Sequence, residues 1–516
     1  ADGSRAGAAT GELRGDIAAA DSRGDGAVLG LSGYALAAGA RGDVPVAEQA
    51  GGVAGAGPYG DVTADGSRAG AATGELRGDI AAADSRGDGA ALGLSGYAVA
   101  DRPRVDGGVA EPRSGVTAGG PRGGTVGAAE RAGDLVDVAL GWYAAVAERT
   151  LTAIVEPGLD QDDRRRATAA QLPGHAAEVA AVAPFRGSQE AFVWGDLELE
   201  NVVTLVSRYG DSLDHRRNAQ VSTLVRLLFP YVLRGGRVAE MEVLGRVGLG
   251  AARRLGDDAA EAYALGDLAG LHFLTGRQSE ALTLNDQALA IWWRLDATSW
   301  IRRCLNNRGL LLEGLGRHAE SGVALRQSLA YSRQLDDPYG EAVTYSHLGN
   351  LYEHTDPRAA IEQHRRSLAI GVGIGAVIVQ HSAHCNIGYA HLALGEPAAA
   401  LPHFEESLRI LGDLGDWHGE SQTRLGLVRA LRLLGRTEAA DAECAELLRR
   451  ADARADRYMG GLARHQLGLL LREQGRAEEA YEEWRTALGA LDGTDEKAVV
   501  EELGELLSQG DARRPS

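Results

Sequence analysis

The chain has one lysine, three cysteines and few aromatic residues. Lys497 is the single lysine, so nearly all of the 53 basic residues are arginine; 72 acidic residues outnumber them and leave a net charge of -19. A field of that sign repels phosphate backbones and anionic lipid, so neither direct nucleic-acid binding nor a membrane partner is expected. Cys304, Cys385 and Cys444 are odd in number and far apart, which gives neither a disulfide framework nor a zinc knuckle; they read as reduced core residues. No run of about 18 apolar residues occurs, and no basic-then-apolar leader opens the chain, so a cytoplasmic location is expected. A chain that starts at Ala1 is expected to be processed or a fragment.

Catalytic patterns are missing as well. A P-loop needs a lysine after glycine and before serine or threonine to hold the β- and γ-phosphates, whereas Lys497 lies between Asp495-Glu496 and Ala498. ATP hydrolysis is therefore not expected. The run Gly371-Val372-Gly373-Ile374-Gly375 falls between helical stretches, not after a strand, and reads as a linker. No serine sits in a G-x-S-x-G context, and the many carboxylates read as solvated helix faces. No catalytic residue, no cofactor and no enzymatic activity are expected.

Glycine is plentiful but unevenly placed: 31 of 71 fall in residues 1–130, where Tyr34, Tyr59 and Tyr97 are the only aromatics. Residues 1–37 recur at 64–100 with only Val28/Ala91 and Leu36/Val99 differing, a tandem duplication of period 63. The five Arg-Gly-Asp triplets there read as a product of composition, with an integrin-type adhesion motif as the alternative. A Gly/Ala-rich region at 1–126, too poor in apolar residues to bury a core, is expected to be disordered.

From Asn218 a second periodicity begins. Gly236, Gly276, Gly316, Thr355, Gly395, Gly435 and Gly475 stand between apolar helical stretches at spacings of 40, 40, 39, 40, 40 and 40. Before most of these turns comes a small residue (Ala269, Gly309, Gly349, Gly388, Gly468, with Val428 the exception). Ala281, Ser321, Ala360, Ala400, Ala440 and Ala480 lie five after, and a leucine thirteen after. Small residues where two helices approach and leucine where the second packs describe stacked helix hairpins. An all-α solenoid of about seven hairpins over 218–493 is expected, after a helical linker domain at 127–217. At 494–516 the stripe Val499, Leu503, Leu506 and Leu507 reads as a capping helix and tail.

Stretches such as Leu268-Ala269-Gly270-Leu271 through Gly276-Arg277 to Glu280-Ala281-Leu282 resemble tetratricopeptide (TPR) units, whose minimal period is 34 residues. Upstream, Glu130-Arg131-Ala132 through Leu140-Gly141-Trp142-Tyr143, then Phe192-Val193-Trp194 through Leu199-Glu200-Asn201-Val202-Val203, resembles the stretch before the TPR array in actinobacterial antibiotic-regulatory (SARP-type, NB-ARC/STAND) transcriptional regulators. That resemblance implies the C-terminal sensor half of such a regulator, without its ATPase. A separate NB-ARC or DNA-binding polypeptide is then a further expected partner.

In TPR superhelices the first helix of each hairpin lines the concave face. The register around the small-residue column picks out Asn306, Ser346, Asn350, Tyr389, Arg429 and His465, with Arg226 in a comparable place, as groove residues able to hold a peptide backbone or carboxylate. A protein or peptide partner is the leading expectation, and a small molecule held in the concave groove the alternative. His381, His384 and Cys385 share one helix but lack further ligands, so no metal site is expected. Arg308, in a column otherwise filled by Leu or Ile, is expected to snorkel or pair. Trp292, Trp293 and Trp300 bracket one linker and read as core packing, with an exposed partner patch as the alternative.

Overall fold

The computed structural model describes residues 124–412 and 415–511; the expected disorder of 1–126 lies, but for its last three positions, outside the described residues. Every element among them is a helix. First come α1 (Gly124–Ile154), α2 (Leu159–Arg165), α3 (His175–Ala181) and α4 (Ser188–Tyr209). Seven hairpins follow: α5 (His215–Arg234) with α6 (Val238–Leu255), α7 (Asp258–Leu274) with α8 (Gln278–Arg294), α9 (Thr298–Gly314) with α10 (His318–Gln334), and α11 (Pro338–Glu353) with α12 (Pro357–Gly373). The last three are α13 (Val377–Ala393) with α14 (Pro397–Leu411), α15 (Trp417–Leu433) with α16 (Thr437–Asp452), and α17 (Arg457–Glu473) with α18 (Ala477–Ala490), before α19 (Lys497–Asp511). We call the two helices of a hairpin A and B.

Each predicted turn falls between A and B. Six of the seven turn glycines or their replacement adopt the left-handed conformation that glycine enters without a Cβ clash (Gly236, Gly276, Gly316, Gly395, Gly435 and Gly475). The seventh turn, at Thr355, is one residue shorter and has no left-handed residue, which is why a threonine fits. Between hairpins the chain also turns through one left-handed residue, and Asp296, Asp336 and Ala455 take that role alongside Gly256, Gly375 and Gly415. Asp257, Asp337, Asp416 and Asp456 then cap the next helix A through its backbone N–H groups.

The small-residue column makes room for a large side chain from helix B. A Cβ on Gly309 would lie 2.4 Å from Leu325, on Gly349 2.2 Å from His364, on Gly388 2.7 Å from Phe404 and on Gly468 2.2 Å from Trp484. The exception obeys the same rule in reverse: opposite Val428 the register places the small Cys444, and both are fully buried. The leucine column is mostly half-buried; the residues one position earlier (Ala288, Ser328, Ser367, Ser407, Leu447 and Ala487) are the fully buried ones.

Trp292 and Trp300 stack in the core at 4.5 Å between ring centroids, while Trp293 remains half exposed. Arg308 both reaches outward and pairs, its Nε donating to Asp286 at 3.0 Å. Val499, Leu503 and Leu506 of α19 are buried against the last hairpin. No helix among the described residues is long and apolar enough to cross a membrane.

The array also curls until its edges meet. Arg454, in the link between the sixth and seventh hairpins, donates to the Gly235 carbonyl in the first hairpin's turn at 3.2 Å. Asp495 donates its backbone N–H to the Gly276 carbonyl at 2.8 Å and accepts from the Ser279 N–H and hydroxyl at 2.8 and 2.9 Å. Polar residues on helices A, among them Asn306, Ser346, Asn350 and His465, are shielded from solvent.

Candidate functional site: the inner face of the A helices

The residues named from register lie on α5, α9, α11, α13, α15 and α17, and the structure brings neighbours among them together. Asn306 accepts at Oδ1 from the Thr344 hydroxyl at 3.2 Å and lies 3.1 Å from His347 Nδ1, linking α9 to α11. Ser346 Oγ accepts from Asn386 Nδ2 at 2.9 Å, linking α11 to α13. Tyr389 donates its hydroxyl to the Gln422 carbonyl at 2.7 Å, linking α13 to α15. His465 lies 3.4 Å from Glu502 of α19. Thus each reaches the next element in the stack.

Asn350 differs. It is only 3% exposed, and neither its Nδ2 nor its Oδ1 has a hydrogen-bond partner. Asn386 Oδ1 and Gln466 Oε1 are likewise buried without a partner. Burying such an amide unpaired costs roughly 1–3 kcal/mol.

Arg226 stands apart from the other six. Its guanidinium donates to the Arg164 carbonyl and, at 2.5 Å, to Gln171 Oε1, so residues from before the array already fill its position. Sequence reasoning missed the charged residues around it. Arg164 of α2 donates to both Asp267 oxygens at 2.7 and 2.6 Å, with both side chains about 1% exposed. Arg302 pairs with Asp160 at 3.2 Å and Asp337 at 2.8 Å, and Arg303 with Asp160. Burial pushes the Asp267 carboxyl up and the Arg226, Arg302 and Arg303 guanidiniums down. The available signal was Arg302-Arg303 inside the apolar run Trp300-Ile301 to Cys304-Leu305, a place where solvated charge does not belong.

Arg429 and the C-terminal cap define the other end. Burial raises the Glu496 carboxyl although Tyr458 and Arg429 oppose it. For Glu502, burial is outweighed by the hydrogen bond and charge of His465, with Arg429 and Arg432 adding to the lowering. The histidine-rich stretch disperses into separate contacts: His381 meets Ser407 at 2.9 Å and Asp416 at 3.6 Å, His384 meets His403 at 3.1 Å, and His354 meets Glu313 at 2.5 Å. Among the described residues no three metal-binding side chains converge.

Tetratricopeptide repeat models match residues 301–371 and 381–410, within the hairpins already described. The array is thus a TPR solenoid. No curated protein matches the chain in sequence. Among solved structures, BtubC (BKLC) from P. vanneervenii is 24% identical over 41% of this chain and 90% of its own, with a TM-score of 0.33. A Rap protein complexed with competence and sporulation factor is 13% identical over 64% and 85%, with a TM-score of 0.47. The STAND protein PH0952 from Pyrococcus horikoshii, which has a TPR sensor, is 13% identical over 66% and 58%, with a TM-score of 0.34.

Proposed function

We propose that the chain is a non-catalytic scaffold that holds a protein or peptide segment along the inner face of its A helices, through Asn306, Ser346, Asn350, Tyr389, Arg429 and His465. The observation that carries this reading is Asn350, buried with both amide atoms unpaired on the inner register of the central hairpin. An amide offers a donor and an acceptor side by side, which complements a peptide main chain. Asn386 and Gln466, each with a free carbonyl oxygen, extend the same chemistry along the array.

We further infer a cytoplasmic sensor module of a signalling or transcription-regulatory protein of the STAND kind, working with an NB-ARC switch carried elsewhere. What supports this is the TPR array together with the upstream stretch from Glu130 to Val203.

The test is selection of a displayed library of unstructured peptides on the full chain, followed by affinity measurement on Asn350→Ala. Enriched peptides that lose at least about tenfold in affinity, equivalent to ~1.4 kcal/mol, support the site. Failure to enrich any peptide, or peptides indifferent to Asn350, overturns it. A polar metabolite that stabilises the chain in a thermal-shift screen when no peptide does would move the reading to the small-molecule alternative.

A further inference from the structure

Between α1 and α4 the chain enters the array and runs along it. Residues 156–171 meet successive A helices in reverse order of sequence, at the N-terminus of α13, early in α9 and at mid-helix in α7 and α5. Glu156 accepts from the Val377 and Ile378 N–H groups at 2.6 and 3.3 Å, supplying the cap that Ala376 cannot give α13. Asp160 pairs with Arg302 and Arg303 of α9. Asp163 accepts from the Tyr263 hydroxyl at 2.8 Å through its carbonyl, and Arg164 pairs with Asp267, both on α7. Ala170 donates to the Asp257 carboxylate at 2.8 Å, and Gln171 accepts from Arg226 of α5. Of the A helices from α5 to α13, only α11 is reached indirectly, through Asp337 and Arg302. A segment that visits the repeats one after another in this way lies as a bound peptide lies in a repeat groove.

Its chemistry is also that of a ligand. The buried residues of α2 are Asp160, Gln161, Asp163 and Arg164, with no apolar side chain among them. Burial of apolar area would lock a helix in place, whereas buried ion pairs come close to breaking even against water. The fit is incomplete, since Arg303 Nε and Nη1, Arg302 Nε and Asp160 Oδ2 have no hydrogen-bond partner. Gly158, at φ 149° with open space around it, immediately precedes α2, and Gly174, also with open space around it, follows the segment. Without it, Arg226 would lose both acceptors, Asp267 its arginine and Arg303 its carboxylates.

We propose that the face of the A helices formed by the α13 N-terminus, Arg302, Arg303, Asp267 and Arg226 is a binding site for an acidic helical segment with two carboxylates one turn apart followed by an arginine, that residues 156–171 are its resident occupant, and that the site accepts such a segment in trans when the resident leaves. Arg302 and Arg303 read the two carboxylates, Asp267 reads the arginine, and the α13 N-terminus takes an acidic residue ahead of the helix. This site shares Arg226 with the inner register but not Asn350, and does not depend on peptide binding at Asn350.

The test uses the full chain and a fluorescent synthetic peptide of residues 155–171. An Asp160→Asn/Asp163→Asn chain, whose own segment has lost its charges, is expected to bind the native peptide at least about tenfold more tightly than the unaltered chain, a gain of ~1.4 kcal/mol. Adding Arg303→Gln is expected to remove the gain, and a peptide with both asparagines is expected not to bind. A folded double variant with no gain overturns the proposal. Should the double variant not fold, hydrogen exchange on the unaltered chain decides: excess native peptide is expected to speed exchange of the 160–171 amides, and the asparagine peptide to leave it unchanged. Exchange of these amides at the same rate as those of α5 and α9, with or without peptide, would make the segment a fixed part of the core. Loss of peptide capture at Asn350 would leave all of these results untouched.

Discussion

Asn350 condenses the functional question into one side chain. Because its amide forms no hydrogen bond, truncation removes no partner, and the lost volume is small. Asn350→Ala is expected to change unfolding free energy by no more than about 1 kcal/mol while peptide capture falls. Thermal unfolding run beside the binding assay checks that separation. His364 makes a second residue-level prediction. Burial lowers its imidazole to about 3, while an unfolded histidine titrates near the usual ~6.5. Between those values the unfolded chain binds the additional proton, so stability falls as pH falls below ~6.5. At pH ~5 this residue alone costs about 2 kcal/mol, at ~1.4 kcal/mol for each pH unit. His403, lowered to about 4 chiefly by burial, acts in the same direction. His354 acts in the opposite one: its hydrogen bond to Glu313 raises it, so its contribution is present below the unfolded value and lost as pH rises through the folded one. Denaturant titrations at pH 7 and 5, with His364→Leu as the comparison, are expected to show acid destabilisation that the variant reduces.

At the scale of elements, each hairpin is specified by a small residue on helix A facing a large one on helix B. Gly349→Ala would place a methyl 2.2 Å from the His364 ring, and Gly468→Ala would place one 2.2 Å from the Trp484 indole nitrogen. Each is expected to cost about 1–3 kcal/mol by overpacking, measured as a fall in the denaturant midpoint. The links between hairpins hold the opposite opportunity. Asp296 and Asp336 are exposed aspartates with φ of 53° and 49°, where a side chain is strained. Replacement by glycine is expected to stabilise by up to about 1 kcal/mol. Turn glycines, aspartate caps and the small-residue column were legible in sequence because each is a local requirement of backbone or close approach. The meaning of Val428 was not, since its compensation by Cys444 requires knowing which residues of two helices oppose each other.

For the array, the decisive contacts are those between its edges. Asp495 joins α19's approach to the second hairpin 216 residues earlier. Asp495→Ala is expected to leave helix content unchanged and to speed hydrogen exchange at the α7–α8 turn and in α19, because the hydrogen bonds that tie these two edges are lost. Unchanged exchange in both places would show that the curl holds without them.

The sequence by itself determined the periodic part of this protein: helix hairpins, their turns, their number and the helices that present polar side chains inward. Those features repeat because each hairpin must bury the same face against its neighbour. Only the tertiary structure decided which inward positions are occupied. Arg226 and Asn350 are both picked out by register, yet the first is filled by residues 164 and 171 while the second is unpaired. The difference arises from a segment outside the repeat, acidic and polar, whose charges find partners up to 222 residues away. Pairing at that separation leaves no periodic trace in the chain, because it depends on how far the solenoid curls and where the preceding helices deliver the segment.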